Sequence, residues 1–235
     1  MKKILGLFLC VSMFAAVSFA AEPNTLTDKE KAEGFILLFD GNELSTDLWA
    51  GDIKGYPVSD GIVKCSKGGN VSTKEMFENF IFRFEFKLPP GGNNGIGFRL
   101  PTPTAGGASA GFECQILDHD DKMYSTGSFK NGLAPYQYHA SIYFIIPAQK
   151  RDALKPVGEW NTMELTNIGS KVKVLTNDVV VLEANLDDYK DKPKEELLGK
   201  HRPGGLDRKD GHIGFQGHSD PVWFRTIRIK KLPAE

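Results

Sequence analysis

The chain has 235 residues and a net charge of −1, with acids and bases interspersed, so no basic patch marks a nucleic-acid surface. Its three cysteines are too few for a disulfide framework. Beyond residue 20 no apolar run is long enough to cross a bilayer.

Residues 1–20 read as a secretory signal peptide. Lys2 and Lys3 precede an apolar run over 4–19, and Ser18-Phe19-Ala20 forms a small-x-small cleavage site before Ala21. The apolar run is short for a membrane anchor. Cleavage after Ala20 predicts a periplasmic or secreted protein of about 215 residues, the size of one large β domain. Residues 21–33 form a polar N-terminal arm, with helix-cap character from Thr27 to Glu30. The domain proper spans 34–233. A bridge between Cys65 and Cys114 is not favoured, because a domain of this size can bury a sufficient core without one.

A first strand over 35–39 ends in the Asp40-Gly41 turn, and Trp49 then closes an edge of the core. Residues 58–65 read as two short strands about Asp60-Gly61, and 70–73 precede a second hairpin arm. Residues 80–88 alternate: Phe80, Phe82, Phe84, Phe86 and Leu88 face inward, and Arg83, Glu85 and Lys87 face water. A breaker-rich loop over 89–95 leads into a strand over 96–100, where Gly95 and Gly97 leave room for either a ligand or a bend. Arg99 on that strand is a candidate for binding hydroxyls or a carboxylate.

Residues 134–144 begin as a loop and end as a strand. Residues 162–166 alternate, 171–184 form a hairpin about Asn177-Asp178, and 187–206 form a polar loop with a helical turn near Glu195. A Gly-rich strand over 211–218 and a last strand over 222–231 complete the chain. Trp160 and Trp223 read as core aromatics. Many short alternating strands with almost no helical periodicity predict an all-β two-sheet sandwich or jelly roll.

The strand over 111–120 organises the rest. Side chains alternate along a strand, so Glu113, Gln115 and Leu117 share one face, and Cys114, Ile116 and Asp118 the other. A bulge after Gln115 would turn Asp118 onto the Glu113 face. The resulting Glu-x-Gln-x-x-Asp resembles the Glu-x-Asp-x-x-Glu strand of laminarinase-like glucanases, whose acids line a concave sugar-binding sheet.

A wider resemblance runs in order along the chain. Leu38-Phe39-Asp40-Gly41 with Trp49, Gly92-Asn93-Asn94-Gly95-Ile96, the Glu113 strand, and Tyr136-Gln137-Tyr138-His139-x-Ser141-Ile142-Tyr143 contribute to it. So do Pro156-Val157-Gly158-Glu159-Trp160-Asn161, the Gly211–His218 run and Phe224-Arg225-x-Ile227. Together they resemble the 3-keto-disaccharide hydrolase domain family. The resemblance implies a concanavalin-like jelly roll in exported bacterial proteins that cleave glycosides already oxidised at the third sugar carbon. It also implies a functional link to a sugar 3-dehydrogenase that makes the ketone.

Such a ketone acidifies the neighbouring hydrogen, which a base can remove. The enolate then expels the anomeric substituent, and water adds back. Glu113, His139 and Asp118 are the expected catalytic residues. Arg99, Gln115, Gln137, Tyr138 and His218 are the expected substrate-binding residues. Glu113 with His139 could also hold a divalent cation such as Mn, Zn or Ca. No organic cofactor is expected. Two other functions fit the same sandwich: a non-catalytic carbohydrate-binding module, and an endo-glucanase using Glu113 and Asp118 as a carboxylate pair.

Overall fold

The computed structural model describes residues 22–66 and 69–233, so the expected leader lies outside the described residues. Thr27 and Glu30 close a capping box. The Thr27 hydroxyl accepts from the Glu30 amide at 3.1 Å, and the Glu30 carboxylate accepts from the Thr27 amide at 3.0 Å. The short helix α1, Asp28–Ala32, follows from it.

The strands in chain order are β1 (Ile36–Leu37), β2 (Trp49–Gly51), β3 (Val58–Ser59), β4 (Ile62–Lys64), β5 (Gly69–Thr73), β6 (Asn79–Lys87) and β7 (Asn93–Leu100). Helix α2 (Gly107–Ala110) precedes β8 (Phe112–Leu117), β9 (Trp160–Ile168), β10 (Lys171–Thr176) and β11 (Val179–Asn185). Helix α3 (Asp187–Lys190) precedes β12 (His212–Gly217) and β13 (Trp223–Leu232). Pairing is antiparallel and makes two sheets. One runs β11-β10-β9-β6-β13-β4-β3 with β1 also on β13, and the other runs β2-β5-β12-β7-β8. This is the expected all-β sandwich.

The alternation of β6 sets the core. Phe80, Phe82, Phe84 and Phe86 are buried between the sheets, where Phe80 meets Phe98 at 6.5 Å and Phe84 meets Phe215 at 5.3 Å. Burying each such ring contributes roughly 1.5–3 kcal/mol, so a polar substitution at any of them would cost a large share of the fold's stability. Arg83 and Glu85 face outward and pair with Glu164 and Arg225. Asp60 and Gly61 adopt φ of 53° and 72°, the left-handed pair that a tight hairpin needs. Cys65 and Cys114 are buried and form no disulfide.

Three expectations change. Trp160 and Trp223 lie on the outer face rather than in the core, because each pairs in register with outward-facing Lys87. The Lys87 ammonium sits 5.2 Å and 5.0 Å from their ring centres. Strand β7 starts at Asn93, inside the expected loop, because Asn93 and Asn94 pair with Leu117 and Ile116. Residues 134–144 do not end as a strand. A 3-10 turn at Pro135–Gln137 is followed by left-handed Ala140 and Phe144, with φ of 64° and 71°, which interrupt extended backbone. The segment still docks on the free edge of β8: Ala140 N donates to Gln115 O at 2.7 Å, and Tyr143 N to Glu113 O at 2.8 Å.

Candidate active site

Strand β8 pairs with β7 without a register shift from Phe112↔Phe98 to Leu117↔Asn93. Cys114 and Ile116 therefore enter the core, and Glu113 and Gln115 project from the opposite face. On β7 that face carries Gly95 and Gly97. On β12, Phe215 enters the core and Gln216 shares the Glu113 face.

The two glycines leave a floor for longer side chains. A Cβ on Gly95 would stand 2.7 Å from Glu113 Cγ, and one on Gly97 would stand 2.8 Å from Gln216 Cδ. Glu113 thus leans over Gly95 from one side, and Gln216 over Gly97 from the other. Helix α2 covers this end of the face. The Gly107 amide donates to Gln216 Oε1 at 2.6 Å, and the Ala108 amide lies near enough to the Glu113 carboxylate to favour its charged form. Gln216 Nε2 and Asn93 Oδ1 are buried without a partner. Both are available to bond a polar ligand over the floor.

Burial dominates the electrostatics of Glu113. It raises the carboxyl pKa from 4.5 to about 7, against the smaller lowering by the Ala108 amide. A carboxyl poised there can both accept and return a proton near neutral pH. Beside it, the half-buried Tyr143 ring is boxed by Tyr136 at 5.4 Å and Phe144 at 4.6 Å. Gln137 Nε2 donates to the Tyr143 hydroxyl at 3.1 Å.

The other expected site residues do not converge here. No bulge follows Gln115, so Asp118 keeps the core-side parity. Its carboxylate instead accepts from the Gly91 amide at 2.8 Å and pins the 89–92 turn. The carboxylate pair required of an endo-glucanase is therefore not assembled on this strand.

Arg99 is turned away by a bulge. His212 pairs with Leu100 and Gly214 with Gly97, so Phe98 and Arg99 together oppose Ile213, and Arg99 takes φ of 50°. Its guanidinium donates to Arg208 O at 2.7 Å and Gly169 O at 2.6 Å and lies over the Phe112 ring. It braces loops rather than facing Glu113.

His139 is buried on the core side. It packs on Phe86 at 5.5 Å and shares a 3.0 Å hydrogen bond with Thr176 Oγ1. Burial, with a smaller contribution from the charge of His119, lowers its pKa to about 3. Glu113 and His139 therefore lie on opposite faces of the β8 sheet and do not make the expected metal-ligand pair. Among the described residues no group of three or more His, Cys, Asp and Glu side chains is placed to hold a metal ion.

Gln137 serves Tyr143 and the Ala134 amide. Tyr138 lies under the Arg151 guanidinium at 3.6 Å, with His119 against it at 5.3 Å. His218 is exposed just past the end of β12. Gln216 and Tyr143 are the site residues that the sequence reading did not single out. Gly95-x-Gly97 was the signal for Gln216: alternate glycines clear one strand face for side chains arriving from its neighbours.

A curated relative from Bacteroides thetaiotaomicron, named 3-keto-disaccharide hydrolase, is 29% identical and aligns over 91% of this chain and 83% of its own length. Two crystal structures from Parabacteroides distasonis, both assigned as glycosyl hydrolases, share the architecture. The first has a TM-score of 0.78 at 26% identity over 90% of this chain and 100% of that one. The second has 0.71 at 26% identity over 84% and 99%. The model of one family matches residues 34–230, nearly all of the sandwich that carries Glu113, and the chain belongs to that family of 3-keto-alpha-glucoside-1,2-lyase-like domains.

Proposed function

We propose that this protein hydrolyses 3-keto-glycosides, 3-keto-disaccharides among them, by elimination across C1–C2 followed by hydration. The observation that carries the proposal is the Glu113 carboxyl, buried over Gly95 with its pKa raised to about 7, on a β8 face that offers one carboxylate and one amide. A glycosidase working on an unoxidised sugar uses two carboxylates across the scissile bond. A 3-keto sugar needs only one base for its first step, because the ketone has already acidified the hydrogen on C2.

In the proposed sequence Glu113 takes that proton. The electron pair becomes the enolate and then the C1=C2 double bond as the anomeric C–O bond breaks. Water next adds its oxygen to C1, and Glu113 returns its proton to C2. Gln115 and Gln216 are the amides placed to bond the ketone and ring hydroxyls, which a fixed donor stabilises most as charge develops. The name of the Bacteroides relative and the family match support the 3-keto substrate. Export through the leader at 1–20 and dependence on a sugar 3-dehydrogenase belong to the same proposal.

The test incubates the purified protein with a disaccharide and with its 3-keto derivative, each with and without a chelator. Cleavage of the ketone alone is expected. Cleavage of the unoxidised sugar, or binding without cleavage of either, would overturn the proposal.

A further inference from the structure

Elimination leaves an alkoxide on the departing sugar. That oxygen is strongly basic, and some group must protonate it as the C1–O bond breaks. In the proposed sequence Glu113 keeps the proton it took from C2 and returns it to C2 on hydration, so a second group serves the departing oxygen. Asp118, His139 and Arg99 are committed elsewhere, to the Gly91 amide, to the core and to loop carbonyls.

We propose, on the basis of the 3-keto-glycosidase function, that Tyr143 is the proton donor to the departing oxygen and that Gln137 positions it for the task. The backbone fixes the neighbourhood, since Tyr143 N donates to Glu113 O at 2.8 Å and so sets the two residues side by side on adjacent chain segments. The Glu113 charge reaches the phenol, so the two side chains share one electrostatic environment.

The hydrogen-bond chain then fixes the direction of the phenol proton. The Ala134 amide donates to Gln137 Oε1 at 2.8 Å, which identifies that atom as the carboxamide oxygen. Gln137 therefore presents its NH2 group to Tyr143, and the bond at 3.1 Å has the phenol oxygen as acceptor. With its oxygen already accepting, the Tyr143 hydroxyl keeps its own hydrogen free to donate. Tyr136 and Phe144 flank the ring at 5.4 Å and 4.6 Å, and the residue is half-buried rather than sealed in the core.

Burial raises the phenol pKa, the Gln137 hydrogen bond offsets part of that rise, and Tyr136 and Glu113 add smaller increases; the net shift is upward, so Tyr143 is protonated at neutral pH. An alkoxide is a stronger base than this phenolate, and the transfer runs toward the sugar. The balance closes over the cycle. The Tyr143 hydrogen goes to the departing oxygen, and the tyrosinate recovers one from the water whose oxygen adds to C1.

The experiment compares two substrates that differ in the need for a proton: a 3-keto-disaccharide, and a 3-keto-glucoside of 4-nitrophenol, which departs readily as an anion. Tyr143→Phe keeps the ring and its neighbours. It is expected to lower kcat/KM for the disaccharide by roughly 10²-fold or more, and for the nitrophenyl substrate by less than about fivefold. Gln137→Leu is expected to show the same bias toward the disaccharide with a smaller loss, about tenfold. Equal losses on both substrates, or none, in a folded Tyr143→Phe protein would overturn the assignment while leaving the hydrolase intact. A wild-type protein inert toward both keto substrates would overturn the hydrolase itself, and the Tyr143 assignment with it.

Discussion

The Glu113 side chain occupies the volume that a side chain at Gly95 would need. Its Cγ and Cδ would stand 2.7 Å and 2.8 Å from a Cβ at that position. The glycine thus makes room for the base, and adding one methyl group would push the carboxylate off the floor. Gly95→Ala is expected to lower kcat/KM by about 10²-fold, the usual scale for a misplacement near 1 Å, with an unchanged circular dichroism spectrum. Gly97→Ala is the control, since it displaces Gln216 and should chiefly raise KM. An active Gly95→Ala enzyme would show that the floor does not set the position of Glu113.

A buried carboxyl is also expensive. The Glu113 pKa is about 7 in the folded protein, against 4.5 as the reference. Below pH 4.5 it is protonated in both states and costs nothing. As pH rises past 4.5 the unfolded chain ionises first and stability falls, levelling off above pH 7 at a cost of about 3 kcal/mol. Glu113→Gln should remove most of this cost. The variant is expected to melt higher than wild type at pH 8, to melt close to it at pH 4, and to be inactive at both. No difference in the pH dependence of the two melting curves would contradict the raised pKa.

The same titration should appear in the rate. The base works only when ionised, so kcat/KM should rise with pH and reach a plateau, with its midpoint near 7. A midpoint near 4.5 would mean that Glu113 is solvated as in a free peptide. The profile would then belong to an open binding surface rather than to a buried catalytic floor.

Much of this was legible in the residues, because alternation is a local property. The Phe80–Phe86 run and the Glu113/Cys114 split could be assigned from parity alone, and both hold in the structure. Features that depend on interrupted parity could not be. The bulge that rotates Arg99 depends on how β7 meets β12. Likewise, His139 faces inward because left-handed Ala140 follows it, and only the docking of that segment on β8 fixes this conformation. Tyr143 was hidden for the same reason. Its neighbour Glu113 is 30 residues away in sequence and reaches it through an irregular edge, not a strand.

His139 yields a prediction of the opposite sign. Its folded pKa of about 3 lies below the ordinary 6.5. Above pH 6.5 the ring is neutral in both states and stability is unaffected. As pH falls through 6.5 the unfolded chain takes up a proton that the folded one refuses, and stability is lost down to about pH 3. His139→Phe keeps a ring against Phe86 and should flatten this acid limb in urea titrations at pH 4–7. Its kcat at pH 8 should stay within about threefold of wild type, since the ring lies on the core side of the sheet. A folded His139→Phe protein without activity would return His139 to the catalytic group.

Arg99 provides the last test, because a brace and a substrate ligand fail differently. Its guanidinium serves carbonyl oxygens of residues 169, 205 and 208 and reaches Asn167 on the opposite sheet at 3.4 Å. Arg99→Met would leave those acceptors buried without donors, at about 1–3 kcal/mol for each one that water cannot reach. The variant should therefore unfold at lower urea by at least about 2 kcal/mol, while KM for the keto substrate stays near the wild-type value. Substrate binding through Arg99 would give the reverse pattern, a large rise in KM with little change in stability. Lysine at this position should not rescue the fold, because one ammonium cannot span carbonyls approached by two separate nitrogens of a planar group.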